Sequence, residues 1–254
     1  MTSLNRLRSL WADGRTALGA IATIPSVQTV QVLARSGLDF ILIDMEHGPI
    51  DNGAAHAMIA ATSGTPLVPL VRVAATTTAH AKVPLDLGAL GVCFPMTSSR
   101  SDAESAVRAV RYPPLGERFW GPFYAPLRWG ISMPEYLNRA DEEVLAIATI
   151  EHVAALENIQ DIVLTPGLDL AFIGPGDLAT SMGLKGRADH PDVIETTRKL
   201  EDAIRPSSVA LGGVAQTPDQ ANDMARRGYK ALVLGFDWSL LQRGVAAAIE
   251  GVTR

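Results

Sequence analysis

Glu151, in AIATIEH, and Asp177, in FIGPGDL, are the residues of this chain whose type and position best suit chemistry. Each stands where an apolar run stops and a helical pattern begins, and in a parallel α/β protein that edge is where ligands bind. Two carboxylates brought together there, without a cysteine or histidine cluster, suit a hard divalent cation, which takes oxygen donors. The same positions also suit helix starts, where an acid caps free N–H groups or meets the positive end of the dipole. Further polar residues occupy equivalent places. Asp44-Met45-Glu46-His47-Gly48-Pro49 closes one apolar run, Arg72 lies in the next, and Gly174-Pro175-Gly176 leads into Asp177. A charge directly after a buried strand is costly to desolvate unless paired or metal-bound, so several on one rim point to a site.

The elements that must position these residues alternate along the whole chain. Strand candidates are 17–23, 40–45, 67–73, 91–96, 144–151, 170–174, 209–214 and 231–236, separated by helical stretches that often close on glycine. The runs are too continuously apolar for half-exposed antiparallel strands and fit a sheet covered on both faces. Eight strand–helix units predict an α/β (β/α)8 TIM barrel, with one extra helix at about 3–13, a last one at about 238–250, and residues 1–254 forming one domain. No Gly-x-Gly-x-x-Gly follows the first strand, which argues against a dinucleotide fold. Region 112–140, rich in Pro, Gly, Arg and aromatics, reads as an irregular segment too long for an ordinary connection, hence functional or interfacial.

Composition narrows the class. A net charge of −5 with no basic stripe disfavours nucleic acid as a partner. No apolar run has the length of a membrane span, and the N-terminal segment lacks the pattern of a secretory signal, so a cytoplasmic location is expected. Cys93, the only cysteine, lies inside the apolar run GVCFPM and reads as a buried strand position. Lys82, Lys185, Lys199 and Lys230 all fall in predicted helices or loops, so no lysine is placed to form a Schiff base. Carbonyl chemistry would therefore need a metal as its electron sink. Of the five histidines, His47 alone follows a strand within an acidic cluster, where it could transfer protons or simply hydrogen-bond its loop. Arg72 could steady an oxyanion, pair with Asp44 or Glu46, or do both. The glycines before Asp177 let a small carboxylate approach the free N–H groups of a helix start.

Several segments together resemble the HpcH/HpaI aldolase/citrate lyase family, in particular its metal-dependent (class II) pyruvate and hydroxy-ketoacid aldolases. They are GLDFILIDMEHGPID (37–51), LDLGALGVCFPM (85–96), RYPPLGERFWGP (111–122), IEHVAALENIQDIVLTPGLDLAFIGPGDLATSMG (150–183) and KALVLGFDWSLL (230–241). The resemblance implies aldol cleavage or condensation of 4-hydroxy-2-oxo acids, giving an aldehyde and pyruvate or a related acid such as hydroxypyruvate through a metal-bound enolate. It implies Glu151 and Asp177 as ligands of Mg2+, Mn2+ or Co2+, with the ketoacid carboxylate also meeting Gly176 and Asp177 N–H beside Gly174 and Pro175. Arg72 is implied to steady the enolate oxygen, His47 to move protons, and Asp44 and Glu46 to orient the histidine and metal waters. Asp86 matches an aspartate that reaches a neighbouring subunit's site, though an acid closing its own helix explains it nearly as well.

This chain departs from the resemblance at Thr149, where many relatives carry glutamine, and in the aromatic run Arg118-Phe119-Trp120-Gly121-Pro122. Both departures suggest a hydroxy-ketoacid branch with altered donor or acceptor preference, with Thr149 and Trp120 contacting substrate, rather than the heptanedioate enzyme. Assembly as a homohexamer, a trimer of dimers that exchange their last helices, is also implied. Two other readings stand beside this one: an acyl-CoA lyase of the citrate lyase β or malyl-CoA type, and a non-catalytic barrel that binds a small acid.

Overall fold

The apolar runs form strands because they are buried on both faces. In the computed structural model, which describes residues 4–253, β1 (Ala17–Ala22), β2 (Phe40–Asp44), β3 (Val68–Arg72), β4 (Gly91–Phe94), β5 (Leu145–Ile150), β6 (Leu170–Ile173), β7 (Ala210–Val214) and β8 (Ala231–Phe236) pair in sequence order. Every pairing is parallel, and β8 returns to β1, closing the barrel expected from the sequence. The helices are α1 (Arg6–Ala12), α2 (Val27–Leu33), α3 (Asn52–Ala61), α4 (Thr78–Asp86), α5 (Arg100–Val110), α6 (Ala125–Trp129), α7 (Met133–Glu143), α8 (Ala155–Val163), α9 (Pro175–Ser181), α10 (Pro191–Ile204), α11 (Pro218–Arg226) and α12 (Asp237–Ile249). Several start on a side chain that accepts a first-turn N–H: Ser26, Asp51, Thr77, Ser99, Ser132 and Thr217.

Side chains alternate between two cores. Ile41, Ile43, Val71, Val92, Ala146, Ala148 and Ile173 face the helical layer, whereas Phe40, Leu42, Val68, Leu70, Cys93, Leu145, Ile147 and Phe172 fill the barrel interior. This period of two decides the site. Continued upward from Phe40 and Leu42 it turns Asp44 inward, from Val68 and Leu70 it turns Arg72 inward, and from Leu145 and Ile147 it turns Thr149 and Glu151 inward. The opposite end is closed by α1, whose Leu7 and Leu10 join the interior core, each contributing about 1.5–3 kcal/mol. Asn5 pins that helix by donating from Nδ2 to the carbonyls of Leu90 and Glu143 at 3.0 and 2.9 Å.

Region 112–140 is not irregular throughout, as the sequence reading had it. It contains α6 and most of α7, which bury Ala125, Tyr136 and Ala140 against Tyr112, Trp129 and Ile131. At its centre Arg118 is fully buried, donating to the Tyr136 hydroxyl at 2.7 Å and to Asp86 at 3.2 Å with the Tyr112 ring 4.6 Å away. The neighbouring Phe119, Trp120, Phe123, Tyr124 and Leu127 are at least half exposed. At the other end of the chain, every residue of α12 from Leu241 onward is exposed. Among the described residues no helix is long and apolar enough to cross a membrane.

Candidate active site

Asp44 and Arg72 are the last residues of neighbouring strands and partners in register, so their side chains meet at the barrel mouth. Arg72 donates from Nε to Asp44 Oδ1 at 2.9 Å and from Nη2 to Oδ2 at 2.7 Å. Its Nε also lies 3.3 Å from Glu46 Oε2, while among the described residues Nη1 has no hydrogen bond. Burial alone would lower the Arg72 pKa, but the bonds and charge of Asp44 outweigh it and raise the value, so the guanidinium stays charged. For Asp44 burial pulls upward and is likewise outweighed by Arg72, leaving the carboxyl below its usual range. Asp44 is fully buried and spends its remaining capacity on the turn that follows, accepting Glu46 N–H at 3.1 Å and His47 N–H at 3.3 Å on Oδ1. It therefore orients Arg72 and the backbone under His47, not the imidazole itself.

His47 has a 62% exposed side chain, with Nε2 3.7 Å from Glu46 Oε2. Among the described residues its ring makes no hydrogen bond, so the loop-bonding alternative does not describe it. Burial, with the charges of Asp44 and Asp177, raises the Glu46 pKa against the opposing pull of Arg72 and His47.

Across the mouth, Glu151 directly follows β5 and is only 4% exposed. Its Oε1 accepts the Met96 N–H at 2.6 Å. Met96 has a φ of +55°, a left-handed conformation that costs a non-glycine residue about 1–2 kcal/mol and brings its amide to the carboxylate. Burial, then the charges of Glu46 and Asp177, push Glu151 up to about 7 against the Met96 bond and Arg72. Asp177 is exposed in the first turn of α9. Neither acid is a helix cap: α8 begins at Ala155 after Ala154, and α9 after Gly174, both without a side-chain cap bond. Capping thus falls away for both, and Glu151 stands outside α8 altogether, whereas Asp177 does sit in the first turn of α9, where it meets the positive end of the helix dipole. Gly176 and Asp177 lie ahead of the first bond of α9, Leu178 N–H to the Gly174 carbonyl at 3.0 Å.

Beneath this ring Thr149 is buried, its hydroxyl 3.2 Å from Cys93 Sγ. Burial pushes the Cys93 thiol up to about 12, as befits an inert strand position. Among the described residues there is no group of three or more His, Cys, Asp or Glu arranged to hold a metal. Glu46, Glu151 and Asp177 repel one another electrostatically, and a carboxylate held as high as Glu151 fits a divalent cation, which would relieve that repulsion.

The structure does not bring Asp86 and Trp120 to this mouth within the chain. Asp86 ends α4, bound to Arg118, and a Cβ on Gly121 would stand 3.0 Å from Asp86 Oδ2, while the half-exposed Trp120 packs edge-on against Phe123. The lysines stay off the C-terminal strand ends: Lys82 is in α4, Lys199 in α10, Lys185 in a turn and Lys230 just before the start of β8. Sequence reasoning missed the Met96 amide, for which a left-handed methionine left no signal, and the inward phase of Asp44, Arg72 and Glu151, which the period of two already contained.

Fold and mouth define a class: a (β/α)8-barrel enzyme with an arginine-bearing, carboxylate-lined site at the C-terminal ends of its strands. The family model for HpcH/HpaI aldolase/citrate lyase matches residues 24–243. A hydroxypyruvate/pyruvate aldolase of Pseudomonas aeruginosa is 33% identical over 95% of this chain and 90% of its own. A 4-hydroxy-2-oxo-heptane-1,7-dioate aldolase of Escherichia coli is 32% identical over 96% and 93%. The crystal structure of an HpcH/HpaI aldolase/citrate lyase family protein from Burkholderia cenocepacia superposes with a TM-score of 0.89 at 31% identity, covering 97% and 98%. The chain belongs to the HpcH/HpaI aldolase/citrate lyase family. The two aldolases are almost equally similar to it, so identity alone does not choose between their substrates.

Proposed function

We propose that this carbon–carbon lyase cleaves and forms 4-hydroxy-2-oxo acids, joining a pyruvate-type 2-oxo acid, pyruvate or hydroxypyruvate, to an aldehyde. The observation that carries this reading is the arginine of the mouth, fixed by Asp44 and electrostatically coupled to Glu46 and to the buried Glu151. Glu151 and Asp177 would hold Mg2+, Mn2+ or Co2+, which when bound draws electrons from a keto group and so favours loss or gain of a bond at the adjacent carbon. The ketoacid carboxylate would meet the N–H groups of Gly176 and Asp177 at the turn that opens with Gly174 and Pro175. In cleavage, His47 Nε2 takes the proton of the 4-hydroxyl. The C3–C4 bond then breaks as the aldehyde C=O forms, and the electron pair moves to the ketoacid fragment as an enolate. Arg72, its Nε and Nη2 held, donates from Nη1 to the enolate oxygen. C3 finally takes up a proton to give the free 2-oxo acid. Thr149 would form the floor under the donor.

Assembly completes the reading. Trp238, Leu241, Val245 and Ile249 make one exposed apolar stripe along α12, which supports exchange of that helix within dimers and a homohexamer built from them. Asp86 and Trp120 would then serve a neighbouring copy's mouth. Cleavage of a series of 4-hydroxy-2-oxo acids, before and after exhaustive chelation and with Mn2+ restored, tests the chemistry. Turnover should vanish with the metal and return with it; turnover that survives chelation undiminished refutes the proposal.

A further inference from the structure

Asp237 takes no part in the steps above, yet it is 4% exposed at the edge of the same mouth. It is the first residue of α12, and its carboxylate does more than start that helix. Oδ2 accepts the N–H groups of Thr23 at 3.0 Å and Ile24 at 2.8 Å, while Oδ1 accepts the Thr23 hydroxyl at 2.9 Å and the Trp238 N–H at 2.8 Å. Three of these four donors come from the loop after β1, on the far side of the sequence. The β1–β8 register shifts by one residue between Gly19 and Ile21, setting Ile21 opposite Phe236, the residue before Asp237.

The Thr23 backbone so held is itself a wall of the His47 turn. A Cβ on Gly48 would stand 3.3 Å from both the Thr23 Cα and its carbonyl oxygen, and 2.5 Å from the Asp44 carbonyl oxygen. Gly48 directly follows His47, and only glycine lets the turn lie this close to both. The backbone around His47 is thus held from two sides, by Asp44 Oδ1 on its N–H groups and by Thr23 against Gly48. The imidazole makes no hydrogen bond among the described residues and meets only Glu46 Oε2, 3.7 Å from its Nε2, so its place is set chiefly by that backbone.

We infer that Asp237 is a positioning residue for His47, acting through Thr23 and Gly48; this rests on the reading of His47 as the proton carrier. Displacing a proton-transfer group by about 1 Å costs up to about a hundredfold in rate. Glu151 and Asp177 stand just after β5 and at the start of α9, outside this chain of contacts, so cation and ketoacid binding are left alone.

The test is a set of cycles on the full-length, Mn2+-loaded protein: Asp237→Asn and Gly48→Ala, each alone and combined with His47→Gln, with kcat, KM and the Mn2+ dissociation constant measured for all. Each single variant should lose about tenfold or more in kcat while KM and Mn2+ affinity hold. In the His47→Gln background neither should lower the residual rate further, because both act through the group already removed. A pin that merely stabilises the fold would move Mn2+ affinity and KM as well, and its cost would persist without His47. Additive losses, or an unchanged kcat in both single variants, overturn the inference. Should Asp237→Asn not fold, Thr23→Val takes its place in the same cycle, since it removes the hydroxyl bond to Asp237 Oδ1 and leaves the other three Asp237 bonds intact. Wild-type turnover in His47→Gln would instead refute the role given to His47 and, with it, the object that Asp237 positions.

Discussion

Replacing Asp44 by asparagine should reveal how far the mouth depends on one buried fork. Asp44 is fully buried and Arg72 is 8% exposed. The substitution keeps an acceptor for the Glu46 and His47 N–H groups but deletes an anionic oxygen facing Arg72 Nη2 at 2.7 Å. Breaking a buried ion pair from one side costs about 3–5 kcal/mol. Glu46 Oε2, 3.3 Å from Arg72 Nε, remains as a partial substitute, so we expect the lower end, about 3 kcal/mol. At about 2–4 °C per kcal/mol for a chain of this size, the unfolding midpoint should fall by about 6–12 °C. The pH dependence has a definite sign. The folded Asp44 carboxyl lies below its usual value, so its contribution is complete above the unfolded value of about 3.9 and is lost as pH falls through the folded one. The gap between wild type and variant should therefore be the same at pH 7 and pH 5 and close only below about pH 4. Drawn toward Glu46, Arg72 no longer presents Nη1 where the oxyanion develops, and kcat should drop about 10²–10³-fold. Urea unfolding at the three pH values, run beside steady-state cleavage kinetics, measures both effects. Equal midpoints with unchanged kcat, or a stability gap that widens as pH falls, would show that the fork does not do what its geometry says.

Glu151, pushed up to about 7 chiefly by burial, makes a proton the competitor of the cation. Mn2+ affinity should rise about fivefold from pH 6 to 7 and less than twofold above that, and a flat titration would contradict it. Gly174→Ala places a Cβ 3.1 Å from Glu151 Cβ and 3.2 Å from its Oε2; Mn2+ affinity should fall about tenfold with a stability loss of about 1 kcal/mol, and an unchanged dissociation constant would rule out the crowding. Thr149→Gln overfills the floor above Cys93 and should cost about 1–3 kcal/mol while lowering kcat/KM for hydroxypyruvate relative to pyruvate, a ratio that competition between the two donors reads directly. Cys93, its thiol pushed up to about 12 by burial, should resist an alkylating reagent at pH 8 in the native protein and react only after unfolding. Labelling of the native chain would mean that the barrel floor opens.

The strands were legible because burial on both faces writes a continuous apolar run, and the acids that close such runs at 44, 151 and 177 stood out for the same reason. Their direction was legible too, in the alternation of Leu145, Ile147, Thr149 and Glu151, since a residue two positions beyond a buried interior side chain faces the same way. The helix α7 was passed over although Ser132-Met133-Pro134-Glu135 carries a capping signal, and Ser132 does accept the Glu135 N–H at 3.3 Å. Proline and aromatic density upstream hid it. What no local pattern could supply is which charged groups answer one another. Arg72 and Asp44 are 28 positions apart, and Asp237 and Thr23 are 214 apart; barrel closure alone brings the second pair together.

Closure also explains why the mouth can be both rigid and chemically strained. Each polar group at a strand end is held from an adjacent strand or loop: Arg72 by β2, the Met96 amide against Glu151 after β5, and Thr23 after β1 by the residue following β8. A ring of such neighbours can keep Glu46, Glu151 and Asp177 within mutual repulsion, because yielding at one position requires its neighbours to yield as well. The repulsion is then available to a divalent cation as binding free energy, which an unconstrained carboxylate pair would have dissipated by moving apart. Slackening the ring at a position remote from the acids, for example with Thr23→Gly, should therefore weaken catalysis before it weakens Mn2+ binding. The reverse order would show that the acids are held from the β1 side of the ring and not by β5 and α9 themselves.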